Sequence, residues 1–345
     1  MKPRRCCCWN RNQSLPAGIS RIKSLGVIAV LALVALPAFG YLLNFTMAND
    51  NSPQPDRWDF GAFPVTWSIN PTKRSNIQGS RSVTEVMKEA FNTWITAPNA
   101  AVQPQFAGAV PYNQEKSAPP NINLICFVCA DADFTQDAQT LAVTITTTAN
   151  GPGQNDGHGG MTRFAGQLLK ADIIFNPNSG FDTDAGDGQD IQDLQTVATH
   201  EIGHFLGLGH SAVVRAVMFP SASTLRTLAY DDVAGLSLLY PSPNPSVATG
   251  SISGAVRLFG TGVFGAHVYA ESVADTHPFA STIRKTPVGT LSRPDGSYSI
   301  EGLPPDSYQV YAEPLDGPVE DGDIHGYANA FGKPSVQTNF TTRAF

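Results

Sequence analysis

The chain has 345 residues with 42% hydrophobic and 15% charged side chains, enough to bury a core and to build two domains, which excludes a disordered tail. Twenty-two Lys and Arg stand against 29 Asp and Glu, but six of the basic residues (Lys2, Arg4, Arg5, Arg11, Arg21 and Lys23) and no acidic ones precede position 41. The remainder carries sixteen basic against 29 acidic residues, a net of −13, and this argues against nucleic acid as a partner, because Lys and Arg are needed to displace backbone counterions.

The N-terminus reads as an export signal. A basic region precedes the nineteen-residue apolar run "LGVIAVLALVALPAFGYLL" (Leu25 to Leu43), with Ala38 and Gly40 spaced as in a cleavage site. The run is also long enough to span a bilayer uncleaved. Residues 1–43 are therefore read as a signal peptide or signal anchor. The body is secreted or extracytoplasmic, touching membrane only through this segment if it is retained. Residues 44–57, polar and Pro-containing, read as a linker.

"FPVTWSIN" (63–70) alternates as a strand should. "SVTEVMKEAFNTWI" (82–95) places Val83, Val86, Met87, Ala90, Phe91 and Trp94 at helical spacing, a stripe that faces a core. "INLICFV", "TLAVTITTT" and "KADIIFN" read as further strands. Outside the leader's Cys6, Cys7 and Cys8, the cysteines are Cys126 and Cys129. Without a second Cys pair they make no zinc ribbon, which leaves a tight disulfide or two buried thiols. His158, in the Gly-rich loop "ANGPGQNDGHGGMTRFAG", has no partner at ligand spacing and reads as solvated. "FDTDAGDGQD" (181–190) hints at calcium, but it lacks the spacing of a calcium loop and reads as a turn ending in an Asp cap.

From Ile191 a helix is expected through "IQDLQTVATHEIGHFLGL". His200 and His204, four residues apart, lie on one face of a helix about one turn from each other, so both can reach one zinc ion. Gly207 tolerates the left-handed conformation that ends a helix, and the reversal can return His210 to the same ion. Three neutral imidazoles leave a fourth tetrahedral position for water, the arrangement of a catalytic site. Glu201, beside the first ligand, is the expected general base and acid.

"HEIGHFLGLGHS", then "AVMFP", then "YDDVAGLSLLYP" resemble, in that order, the signature of the matrixins among the metzincin metalloproteases. The resemblance covers residues 58–241. It implies an α+β fold, a twisted mixed sheet with an active-site helix and a methionine turn, with Met218 under the metal and a last helix beginning near Asp231 and Asp232. It also implies that "TLAVTITTT" is the sheet's edge strand, along which a protein or peptide substrate adds as another strand. The chain departs from the pattern in reading "SAVVRAV" where a proline is usual and Phe219 where a tyrosine is. Matrixin prodomains place a cysteine on the zinc, and nothing in 41–57 is a Cys, so latency by that route is not expected. The family's second, structural zinc would need histidines before the active-site helix, where only His158 occurs, so one catalytic zinc per chain is expected, with calcium a secondary candidate.

"PSPNPSVATG" reads as a second linker, ending at residue 250. Beyond it, 251–345 alternates as strands with a turn at Asp295-Gly296 and resembles the carboxypeptidase regulatory-like β-sandwich, an all-β spacer, stabiliser or binding module. His267, His277 and His325 within it read as surface residues. The sequence thus points to an exported zinc endopeptidase. The competing reading is an adhesion or binding protein led by the sandwich, with an idle zinc site.

Overall fold

The computed structural model describes residues 5–10, 43–129, 134, 140–184, 191–221, 224–274, 277–324 and 327–345. Most of the apolar run at 25–43, residues 185–190 of the acidic stretch, and His325 lie outside them. Among the described residues no helix is long and apolar enough to cross a membrane.

One six-stranded sheet organises the first two thirds of the chain. Its strands are β1 (Arg5–Asn10), β4 (Val65–Asn70), β5 (Pro104–Ala109), β6 (Asn123–Cys126), β7 (Thr140–Thr148) and β8 (Leu168–Phe175), in the order β1-β7-β8-β6-β4-β5. β7 and β8 are antiparallel, and every other pairing is parallel. The sheet is therefore mixed, as expected, but β7 is not its edge. β1 pairs along β7, setting Cys8 opposite Thr144 and Trp9 opposite Ile145. An open strand presents unpaired N–H and C=O groups to any extended segment, and here the N-terminal segment at residues 5–10 takes them.

Helix α1 (Val83–Ile95) begins at a capping box of Ser82 and Glu85 and buries the six-residue stripe named above. Phe91 from that stripe stacks on Trp67 of β4 at 4.4 Å between ring centroids. Trp94 Nε1 donates to the carbonyl of Thr199 (2.8 Å), fastening α1 to helix α2 (Leu194–Phe205). α2 starts three residues later than the periodicity suggests. Asp193 accepts the Gln195 N–H and the Thr196 hydroxyl and is held by Arg226, so the cap falls there and 191–193 remains extended. Cys126 and Cys129 are joined in a disulfide, buried beside Leu124, Ile145 and Ile174.

Residues 44–57, expected to be a linker, fold as a hairpin of β2 (Phe45–Met47) and β3 (Pro53–Pro55). Asn44 donates through its backbone N–H to the Gly207 carbonyl (3.1 Å) and through its side chain to the Leu208 carbonyl (3.1 Å). The buried Asp56 accepts from Thr46 at 2.6 Å. Polar composition concealed this role because the segment's polar groups are spent on backbone partners rather than on water.

After helix α3 (Tyr230–Leu239) the chain is mostly β. β9 (Gly250–Ala255) pairs with β12 (Ser297–Leu303). β10 (His267–Ser272) lies between β11 (Val288–Leu291) and β13 (Tyr308–Glu313). Gly296 turns the chain at φ 83°, where the Asp-Gly signal placed it. Val263, Val268, Ile300 and Leu303 belong to the same apolar cluster as Val233 and Leu236 of α3, so the two parts share a core. Gly302 makes the close approach, since a Cβ there would stand 2.9 Å from that of Ala234. His267, read as a surface residue, is 4% exposed and paired with Glu313 (2.9 Å), while His277 is exposed.

Candidate metal centre

α2 carries His200, Glu201 and His204, and His210 follows five residues after the helix ends. The helix end is closed from outside itself. Trp58 Nε1 donates to the Phe205 carbonyl (2.9 Å), and the Tyr240 hydroxyl donates to that of Leu206 (2.8 Å), satisfying acceptors that a helix leaves open. Gly207 then takes φ 95°, and a Cβ there would lie 2.0 Å from the Asp56 carbonyl oxygen. Both conditions require glycine, and they turn the chain so that His210 returns.

The three histidines form one group, with ligand atoms all within 4.8 Å of one another. Each Nδ1 meets a backbone carbonyl: His200 that of Val217 (2.8 Å), His204 that of Leu208 (2.8 Å), and His210 that of Asp323. A carbonyl only accepts, so each Nδ1 carries the proton and each Nε2 the lone pair. Yet the Nε2 atoms of His200 and His204 stand 3.1 Å apart. Two lone pairs cannot share a hydrogen bond, so that approach is repulsive by itself. It is close to the roughly 3.3 Å edge of a tetrahedron with metal–nitrogen bonds of about 2.05 Å. Burial, with His210 nearby, also pushes His200 down to about 3, keeping it neutral as a ligand must be. The donor set and its tautomers fit a zinc ion.

Glu201 is fully buried, and its Oε2 lies 2.6 Å from the hydroxyl of Thr144 on β7. The Met218 side chain lies against Gly203 of α2, where a Cβ would be 2.2 Å from the sulfur. Asp232 holds the methionine turn by accepting the N–H groups of Val217 (2.9 Å) and Met218 (3.1 Å). Burial raises Asp232 to about 6 and Asp231 to about 8. Asp231 accepts from Ser211 and from the Gly289 N–H (2.8 Å).

Thr144, Asp231, Asp232 and Asp323 were not foreseen as parts of the centre. A threonine in a strand has no distinguishing mark. Two adjacent aspartates opening an apolar helix were the one available signal, since burying carboxylates there needs specific donors. His158 is apart from the ligand group: it is exposed, bonds the Leu169 carbonyl (2.9 Å) and lines a separate cavity of about 470 Å³ with Asp59 and Arg163. In the acidic stretch, Asp184 is used to bind the N–H groups of Ser80 (2.8 Å) and Arg81 (3.2 Å).

A mixed sheet backing a helix with two turn-spaced histidines, a third beyond a glycine turn and a methionine packed on that helix resembles the metal centre of the metzincins. Residues 125–241 match the family model of the matrixins, and this part of the chain is matrixin-like. Among similar proteins, Metalloendoproteinase 2-MMP of Arabidopsis thaliana is 36% identical over 127 residues, 32% of this chain and 34% of that protein. Metalloendoproteinase 1 of Glycine max is 28% identical over 220 residues, 59% of this chain and 57% of its own. Matrilysin of Rattus norvegicus is 40% identical over 101 residues, 28% and 35%. The chain thus spans less than two thirds of the length of these relatives.

Proposed function

We propose that the protein is an exported zinc endopeptidase in which His200, His204 and His210 hold one ion and Glu201 moves protons. The observation that carries this reading is the 3.1 Å approach of two Nε2 lone pairs, which a shared cation makes favourable. A zinc ion held by these three histidines would supply Lewis acidity and make the attacking water more acidic. Glu201, oriented by Thr144, takes the proton of the attacking water and passes it to the departing amine. Met218 supports the ligands from below. Removal of the N-terminal export segment that carries β1 frees this side of β7, and an extended protein substrate adds there in its place, with backbone hydrogen bonds fixing its register. Residues 251–345 act as a carboxypeptidase regulatory-like module, and its shared core with α3 supports a role beyond that of a spacer.

The isolated protein should hydrolyse an unfolded substrate such as casein, and a zinc chelator should abolish the cleavage. Glu201→Gln should keep its zinc while turnover falls about 10²- to 10⁴-fold, the usual loss on removing a general base. Zinc binding without any cleavage by the wild-type protein would favour the adhesion reading with an idle site.

A further inference from the structure

The loop between the third histidine and the methionine turn is held from the C-terminal part of the chain at three points. Asp323, 113 residues from His210, offers its main-chain carbonyl to the His210 Nδ1–H. The Gly289 N–H shares the Asp231 carboxylate with the hydroxyl of Ser211. Arg284 donates to the carbonyls of Arg215 and Thr227, the latter at 2.6 Å. Apolar packing follows the same path. Ala212 and Phe219, at the two ends of the loop, pack on a cluster formed by Phe264, Leu315, Ile324 and Tyr327. His200 and His204, by contrast, take their carbonyl partners from residues 208 and 217, within the matrixin-like segment itself.

We propose that the C-terminal module completes the metal centre, with Asp323 as a positioning residue whose carbonyl fixes the tautomer and ring plane of His210. This rests on the zinc reading above. The physical reason is that a ligating imidazole needs its second nitrogen anchored to stay in the productive orientation, and loss of such an anchor typically weakens metal binding 10- to 100-fold. His210 has no helix to orient it, as His200 and His204 have. The strap that presents the carbonyl is itself built for the purpose. The Asp323 carboxylate accepts the Glu320 N–H (3.0 Å) and closes a 3-10 turn over residues 321–323. Just after it, the Tyr327 hydroxyl donates to the Leu291 and Ser292 carbonyls (3.1 and 3.3 Å).

The test uses the full chain loaded with zinc. Proton NMR should show three slowly exchanging imidazole N–H resonances, one for each ligand. In Asp323→Ala, which opens the turn, one of the three should be lost while two persist, and zinc should pass to a chelator about tenfold or more faster. Asp323→Asn, which can still accept from Glu320, should restore both readings. Tyr327→Phe removes only a hydroxyl, and it should weaken the same single resonance should Asp323→Ala fail to fold. Folded variants with all three resonances and wild-type zinc release would overturn the positioning role while leaving the zinc reading intact. A wild-type chain that binds no zinc would overturn both.

Discussion

Gly203 lies inside α2, where glycine is usually a defect: alanine would favour the helix by about 1 kcal/mol. The contact with Met218 reverses that preference. A Cβ would stand 2.2 Å from the Met218 sulfur and 3.0 Å from Trp94 Cζ2, and both neighbours are fully buried. Overpacking of this kind costs about 1–3 kcal/mol, more than the propensity gain. Gly203→Ala should therefore lower the urea midpoint of unfolding, and a midpoint equal to or above wild type would show that the methionine can give way. The histidines and Glu201 were legible because their spacing is local to one helix and one turn. Thr144 and Asp323 were not, because their link to the centre depends on which strand and which strap the fold brings alongside.

At the scale of elements, the hairpin of residues 45–55 is tied to the turn after α2 by the residues that flank it, Asn44 and Asp56, and Asp56 is its buried joint. Burial pushes the Asp56 carboxyl up to about 7, against about 3.9 in an unfolded chain, while the Thr46 hydrogen bond opposes that. The folded protein therefore holds this proton more tightly than the unfolded one. Its contribution to stability is complete below about pH 4 and is lost as pH rises through about 7. Asp231 and Asp232, raised by burial to about 8 and 6, act in the same direction. His200, pushed down to about 3, works the other way up to about pH 6.5, so thermal midpoints should fall between pH 6.5 and 8, and Asp56→Asn should flatten part of that slope. A slope unchanged by the substitution would show that Asp56 does not titrate with folding. The helix start three residues late at Asp193 has a related cause, since the cap is chosen by Arg226, distant in sequence.

Across the whole molecule, metal stoichiometry is the clearest expectation. Among the described residues the three histidines are the group of His, Cys, Asp and Glu that can hold an ion, and Cys126 and Cys129 are joined to each other. Elemental analysis of the purified chain should give one tightly held zinc, lost in His204→Ala. Two zinc ions, one of them surviving that substitution, would point back to His158 and the loop around it. The continuous core between α3 and the C-terminal sheets also makes the chain one unit around the centre rather than an enzyme with a tethered appendage.

By itself, the sequence determined what is local. Histidine spacing, the glycine turn, the methionine turn, the stripe of α1 and the Asp-Gly turn follow from helical period and backbone stereochemistry within a few residues. Tertiary structure alone decided that β1 lies along β7, that a polar stretch before residue 58 is a packed hairpin, and that a carbonyl 113 residues away orients the third histidine. Those partners are backbone groups, which every residue carries alike, so no side-chain pattern in the sequence can announce them.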